Sequence, residues 1–355
     1  MLASQPFYRL NLHHLRQNWN FNRWFVILGS KVFFGRPGFT QLWSRAHRPN
    51  ESEMSSRFYL PLRGKTSPEG SNPDLIVVAE HGRFGNNVRQ ISYALAVARR
   101  LGVREVVAKS LPLTPIGSWE VEEGLYLTHD PLLRPRIVTK PKVILGGDFF
   151  VVRRLPVSVD ESDYSTIGRA LARATGLEPE VPLEGETLLI HVRSGDAFSS
   201  HPHGALGQPP LSFYQMVLAE LSPNHVVLVF EDQANPVIGR LREFLVEKKI
   251  SFREQSSDLR SDFRTILAAK NLVLAQGTLG QAMVLLSGNL EKLITFGSAF
   301  SPQFPKSSAP QFIAVKDVKG DYTDQVMRGN WENSPEQLSL MVTYPSKFLA
   351  LQEAT

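Results

Sequence analysis

His191, Arg193 and Asp196 fall within six residues of one another, where the apolar run Leu188-Leu189-Ile190 stops. Arginine presents a rigid fork of donors that matches phosphate oxygens. Histidine can give or take a proton near neutral pH. His191 and Arg193 are two residues apart, so both point the same way if the strand continues that far. Such a set can bind an anion and stabilise negative charge as it develops on a leaving group. The plainer alternative is an Arg193–Asp196 ion pair that ties off a strand. The loop that follows, 198–210, is rich in Gly and Pro and carries His201 and His203. His201 is a candidate general base. Asp196, His201 and His203 could instead ligate a metal, or the histidines could be ordinary loop residues.

Two further stretches could cradle an anion. Gly82-Arg83-Phe84-Gly85-Asn86-Asn87 lies between an apolar run and a helix read from Val88, and Gly277-Thr278-Leu279-Gly280 precedes a helix read from Gln281. Glycine permits close backbone approach to a ligand, and free N–H groups at a helix start favour phosphate. The first stretch is no dinucleotide fingerprint, because the third glycine and the acidic residue after the next strand are missing. Asp262 opens a helix that Ser261 is suited to cap. It compensates the helix dipole or accepts hydrogen bonds from a nucleobase.

The elements that must position these residues alternate between strand and helix. Strands are expected at 75–79, 105–109 and 143–145, with helices at 88–101 and 165–175. A second alternation begins with a strand at 187–192. It continues as helix 211–221, strand 226–230, helix 236–248, strand 250–252, a helix from 261 to 269, strand 272–274, helix 281–286 and strand 293–296. A terminal helix is expected over 337–351. With no hairpin signals, this pattern predicts an α/β protein of two parallel-sheet, Rossmann-like domains facing each other across a ligand cleft. The expected division is an N-terminal extension and linker at 1–73, a first domain at 74–182 and a second at 183–355.

The chain has 355 residues and a formal net charge of +5. Residues 1–60 carry eight Arg or Lys against Glu51 and Glu53, so this segment is +6 and the other 295 residues sum to −1. The same segment is rich in Trp and Phe. It reads as an extension packing its aromatics on the main body, as a peripheral membrane contact, or as a nucleic-acid arm; the last is set aside. Cysteine is absent, which excludes disulfides, thiolate metal sites and cysteine nucleophiles and favours a reducing, cytoplasmic setting. The apolar run Trp24–Leu28 is far short of the ~20 residues a spanning helix needs, so no membrane anchor is expected.

Together the motifs resemble the GDP-fucose-dependent fucosyltransferase superfamily, the α1,2/α1,6/protein-O-fucosyltransferase group. Gly82-x-x-Gly85-Asn86-Asn87 resembles its glycine-rich motif. His191-Val-Arg193-Ser-Gly-Asp196 resembles its His-x-Arg-Arg-x-Asp motif. Asp262 to Ala269, followed by Ala275-Gln276-Gly277-Thr278-Leu-Gly280, resembles its third. The likeness covers roughly residues 74–300. It implies a GT-B-like fold and inverting, metal-independent transfer of fucose from GDP-fucose to a glycan or lipid-linked acceptor. It also implies that Arg193 binds the β-phosphate, that His191 and Asp262 contact guanine, and that Gly277-Thr278 meets a phosphate. Gly85-Asn86 would reach the pyrophosphate from the first domain. Ser194 stands where the family has a second arginine, and Asn87 where a glutamine is frequent. Two competing expectations are a metal-dependent phosphoester hydrolase using Asp196, His201 and His203, and a non-catalytic relative that only binds nucleotide.

Overall fold

The computed structural model describes residues 25–28, 31–32, 73–78, 84–109, 116–139, 143–147, 149–150, 155–179, 181–274, 278–297 and 310–353. The chain divides into two compact units, Met1–Gly176 and Leu177–Thr355. Each is built on a seven-stranded sheet.

In the first unit the strands are β1 (Phe25–Leu28), β2 (Lys31–Val32), β3 (Leu75–Val78), β4 (Glu105–Ala108), β5 (Gly117–Glu122), β6 (Leu125–His129) and β7 (Val143–Gly147). Their order is β2-β1-β7-β3-β4-β6-β5. The four central strands, β7, β3, β4 and β6, pair in parallel. β3 and β4 are buried along their whole length, as continuous apolar runs in a covered parallel sheet should be. Helix α1 (Phe84–Leu101) follows β3, and α2 (Glu161–Ala174) packs beside it through an edge-to-face contact of Tyr93 with Tyr164 at 5.0 Å. From Asn87 to Ala98 every α1 residue is buried.

Both edges of this sheet depart from the expected all-parallel pattern. β5 and β6 form an antiparallel hairpin, turned at Gly124 with φ +72°. Its Glu-Gly turn is not one of the dipeptides that advertise a tight hairpin. β1 adds antiparallel to β7, so the apolar run Phe25–Leu28 is a sheet strand. The aromatic and basic side chains of residues 1–60 lie outside the described residues, and so does the linker up to residue 72.

In the second unit the strands are β8 (Thr187–His191), β9 (His225–Val229), β10 (Ser251–Gln255), β11 (Asn271–Leu274), β12 (Lys292–Phe296), β13 (Gln311–Asp317) and β14 (Leu349–Glu353). The sheet order is β10-β9-β8-β11-β12-β13-β14, parallel up to β13. The helices are α3 (Leu211–Leu221), α4 (Pro236–Glu247), α5 (Leu259–Leu267), α6 (Thr278–Leu286), α7 (Asp321–Val326) and α8 (Pro335–Thr343). Ile190, Leu228, Val273, Ile294 and Val315 bring the strands into one core with Phe213, Leu241 and Trp331.

Four sequence expectations are corrected here. The terminal helix ends at Thr343, because Pro345 follows and cannot continue it; residues 349–353 instead pair antiparallel with β13. α5 is capped by Asp258, which accepts from the N–H groups of Arg260 and Ser261, rather than by Ser261. α1 begins at Phe84 and α6 at Thr278, each earlier than the periodicity suggested.

Candidate functional site

The two parallel cores share one topology. Numbering the second unit's parallel strands from β8 gives the order 3-2-1-4-5-6, and numbering the first unit's from β3 gives 3-2-1-4. This is a doubly wound α/β arrangement, in which ligands sit outside the carboxyl ends of strands 1 and 4, where the order reverses. In the second unit those strands are β8 and β11, with His191 paired to Leu274. The residues singled out at the end of β8, and Thr278 at the start of the helix after β11, therefore leave the sheet on adjacent strands.

His191 is the last residue of β8. Its Nδ1 is buried with no protein partner. Burial, and then the charge of Arg193, lower its pKa to about 4, so the ring is neutral at physiological pH. Val192 extends the ladder by donating to the Val229 carbonyl at 2.9 Å. Arg193 then turns its Nη2 to both carboxylate oxygens of Asp196, each at 3.2 Å. The ion pair considered at the sequence level is thus present, and it holds the guanidinium at the strand end.

The loop backbone is fixed from the neighbouring strand. Ser194 is 1% exposed. Its Oγ donates to Asp232 Oδ1 and accepts the Asn235 N–H at 3.1 Å. Asn235 Nδ2 donates to the Arg193 carbonyl at 2.9 Å. Gly195 sits at φ +59°, where a side chain is strained, and its N–H donates to Asp232 Oδ1 at 3.2 Å. The bond from Ser194, with N–H bonds from Ala234 and Gly195, holds the Asp232 carboxyl below the usual carboxylate range. Sequence reading passed over Asp232 and Asn235. The signal available was Asn235-Pro236, a helix cap followed by proline at the first helical position.

The 196–210 loop is strapped by the C-terminal segment. Trp331 Nε1 donates to the Ala197 carbonyl at 2.5 Å, Asn333 Nδ2 to that of Phe198 at 3.0 Å, and Tyr322 Oη to that of Gln208 at 2.6 Å. His203 Nδ1 accepts the Ala205 N–H at 3.1 Å and caps a short turn. His201 is exposed, its Nδ1 3.0 Å from Ser200 Oγ. Among the described residues no group of three His, Cys, Asp or Glu could hold a metal ion. Asp196, His201 and His203 therefore do not assemble the cluster that the hydrolase reading needs: one pairs with Arg193, one caps backbone and one faces solvent.

Asp262 lies in the first turn of α5, where its Oδ1 accepts from Gln255 Nε2 at 3.0 Å and the Ser257 N–H at 3.2 Å. It ties the end of β10 to its helix. Gly277 lies outside the described residues, as do Gly82 and Arg83. In the first unit Gly85 and Asn86 fall inside the first turn of α1, not in a turn before it. Asn86 Oδ1 is buried without a protein hydrogen-bond partner. α1 follows β3 at that unit's own switch point beside β7.

These features define a two-unit α/β protein with a topological switch point in each unit. No protein-family profile matches the chain, and no curated protein sequence is significantly similar to it. Solved structures similar to it include POFUT1 in complex with GDP, at 12% identity and a TM-score of 0.40, covering 65% of this chain and 99% of that one. Another is the E. coli heptosyltransferase WaaC with ADP-2-deoxy-2-fluoro heptose, at 9% identity and a TM-score of 0.36, covering 67% and 92%. A third is TibC, an iron-containing dodecameric glycosyltransferase from enterotoxigenic E. coli, at 13% identity and a TM-score of 0.36, covering 64% and 58%. Likenesses this distant assign neither an activity nor a donor.

Among the described residues no helix is long and apolar enough to cross a membrane.

Proposed function

We propose that this protein is a glycosyltransferase that moves a sugar from a nucleotide-sugar donor, fucose from GDP-fucose, to a glycan or lipid-linked acceptor. The observation that carries the reading is the place of Arg193, at the carboxyl end of the first strand of a 3-2-1-4-5-6 sheet, beside the strand that leads to Thr278. The motif resemblance supplies the donor class and the expectation of inverting, metal-independent transfer.

In this mechanism the acceptor oxygen bonds to the anomeric carbon as the bond from that carbon to the diphosphate oxygen breaks. The nucleoside diphosphate departs with the electron pair, and Arg193 meets the charge that grows on it. One positioned group of this kind contributes on the order of 3 kcal/mol. The Thr278 hydroxyl and the first N–H groups of α6 offer further donors to the phosphates. His191, neutral and with its Nδ1 buried, and Asp262 are the proposed contacts to the guanine. The acceptor's proton passes to His201, which its exposure leaves open to a substrate.

The test incubates the protein with GDP-fucose and with other GDP- and UDP-sugars over a glycan array, and measures nucleoside diphosphate release. Release with a GDP-sugar is expected, and it should fall roughly 10²–10³-fold in Arg193→Ala. Silence with every donor overturns the reading. Full turnover in His201→Ala removes that residue's role alone.

A further inference from the structure

We infer that Asp232 and Asn235 are positioning residues for Arg193, acting on the main chain of the loop that carries it. The inference rests on the reading of Arg193 as the clamp on the leaving diphosphate. Three consecutive residues of that loop are tied to one short segment at the end of β9. The Arg193 carbonyl accepts from Asn235 Nδ2, Ser194 Oγ bridges Asp232 and the Asn235 N–H, and the Gly195 N–H donates to Asp232.

This brace is rigid for two reasons. Ser194 and Asn235 are each 1% exposed, so a lost bond there is not made good by bulk water, and an unsatisfied buried group is costly. Asn235 is in addition the cap of α4, with its Oδ1 accepting the Val237 N–H at 2.9 Å. The same side chain thus starts a helix with one atom and holds the Arg193 backbone with another. Asp232 gathers the N–H groups of Gly195 and Ala234 as well as the Ser194 hydroxyl. Asp232 itself is exposed, yet these three bonds fix the position of its carboxylate against the loop.

Ser194 has a defined use in this arrangement. Its hydroxyl is both donor and acceptor, and it is small enough to sit buried between the two loops. Small displacements of a catalytic group cost large factors in rate, so the aim of Arg193 depends on this second loop although neither Asp232 nor Asn235 needs to touch substrate.

The test separates positioning from general stability. Asn235→Ser keeps a side chain that caps helices well, but it is too short to reach the Arg193 carbonyl. Asp232→Ala removes the acceptor and Asp232→Asn retains one. Two readouts are used on the full chain: GDP affinity by calorimetry, and the rate at which phenylglyoxal modifies Arg193, followed by peptide mass mapping. Asn235→Ser and Asp232→Ala should each weaken GDP binding about tenfold, equal to ~1.4 kcal/mol, and speed modification of Arg193. Asp232→Asn should recover most of both. In an Arg193→Ala background the Asn235→Ser loss of affinity should disappear, because coupled residues are not additive. A loss that persists in that background, or unchanged affinity and reactivity in Asn235→Ser, overturns the inference. If the unaltered protein binds no nucleotide, the donor reading falls, and the Arg193 modification rate alone decides the positioning role.

Discussion

Arg193 and Asp196 meet across one turn of chain, with Nη2 3.2 Å from each carboxylate oxygen. Both side chains are about one-fifth exposed, at 20% and 23%, so water screens the pair and its stabilisation is at most about 1 kcal/mol. Its consequence is orientation: the carboxylate holds the guanidinium at the carboxyl end of β8. Asp196→Asn should therefore leave the unfolding free energy within about 1 kcal/mol of the parent. Nucleotide release should fall about tenfold, against roughly 10²–10³-fold for Arg193→Ala, the usual scale for removing one such donor. Urea unfolding and a release assay check the two halves. Equal losses of turnover in both variants would place Asp196 in the chemistry itself.

His129 ends β6 with no exposed surface, and neither ring nitrogen has a protein hydrogen-bond partner. Its ring meets Trp119 edge to face at 5.2 Å. Burial lowers its pKa from 6.5 to about 4. The unfolded chain thus takes up this proton first as the pH falls. The stability tied to His129 is fully present above pH 6.5 and is lost between 6.5 and 4. The loss amounts to about 3 kcal/mol by pH 4. His129→Phe keeps an aromatic ring against Trp119 and has no proton to gain. Its unfolding free energy, measured by urea at pH 7.5 and at pH 4.5, should fall less with acid than the parent's. Equal slopes would show that the ring is hydrated in the folded protein.

The fold was legible wherever one apolar run made one buried strand. β3, β8, β9, β11 and β12 all show this, because a strand covered on both faces must be apolar throughout. The edges were not. β5 and β6 lie around a Glu-Gly turn where no element was expected, and β14 follows a proline that ends the preceding helix, where local periodicity extends the helix to residue 351. At the site, Arg193 and His191 announced themselves by interrupting an apolar run. Asp232, Asn235, Trp331 and Asn333 did not, because they act by bonding to backbone carbonyls, hydroxyls and N–H groups far away in sequence. The separations are 134 residues for Trp331 with Ala197 and 42 for Asn235 with Arg193. Spacing within one chain cannot display such pairs.

Gly207 tests how closely the C-terminal strap holds the loop. A Cβ at this position would lie 2.0 Å from the Val326 carbonyl oxygen at the end of α7. Backbone faces backbone there, so no side chain can rotate away. Gly207→Ala should cost ~1–3 kcal/mol, the range for overpacking a tight interior. Trp331→Phe, which removes the donor to Ala197 and keeps an aromatic ring, should cost about 1 kcal/mol. Because both changes loosen the 196–210 loop, turnover should fall in both while GDP affinity changes little. Unfolding curves combined with kinetics check this. A Gly207→Ala protein of parental stability would mean that the loop and α7 separate freely.

Glu105 gives the sharpest stability prediction in the first unit. Its carboxylate has no exposed surface. Oε1 accepts from Thr128 Oγ1 at 2.5 Å and from the Arg136 N–H at 2.8 Å. Oε2 accepts from the N–H groups of Ile137 at 3.0 Å and Val138 at 2.8 Å. A buried charge is tolerated when hydrogen bonds satisfy it in this way. Glu105→Gln preserves shape but can present an oxygen on one side only, so its NH2 group must face donors on the other. Each buried donor left unmatched costs ~1–3 kcal/mol. Since at least one side is left unmatched, the substitution should lower the unfolding free energy by roughly 2–4 kcal/mol. Amide hydrogen exchange at residues 136–138 should rise well beyond that of α1. Exchange that stays slow at these three amides would show that the loop is held by contacts other than Glu105.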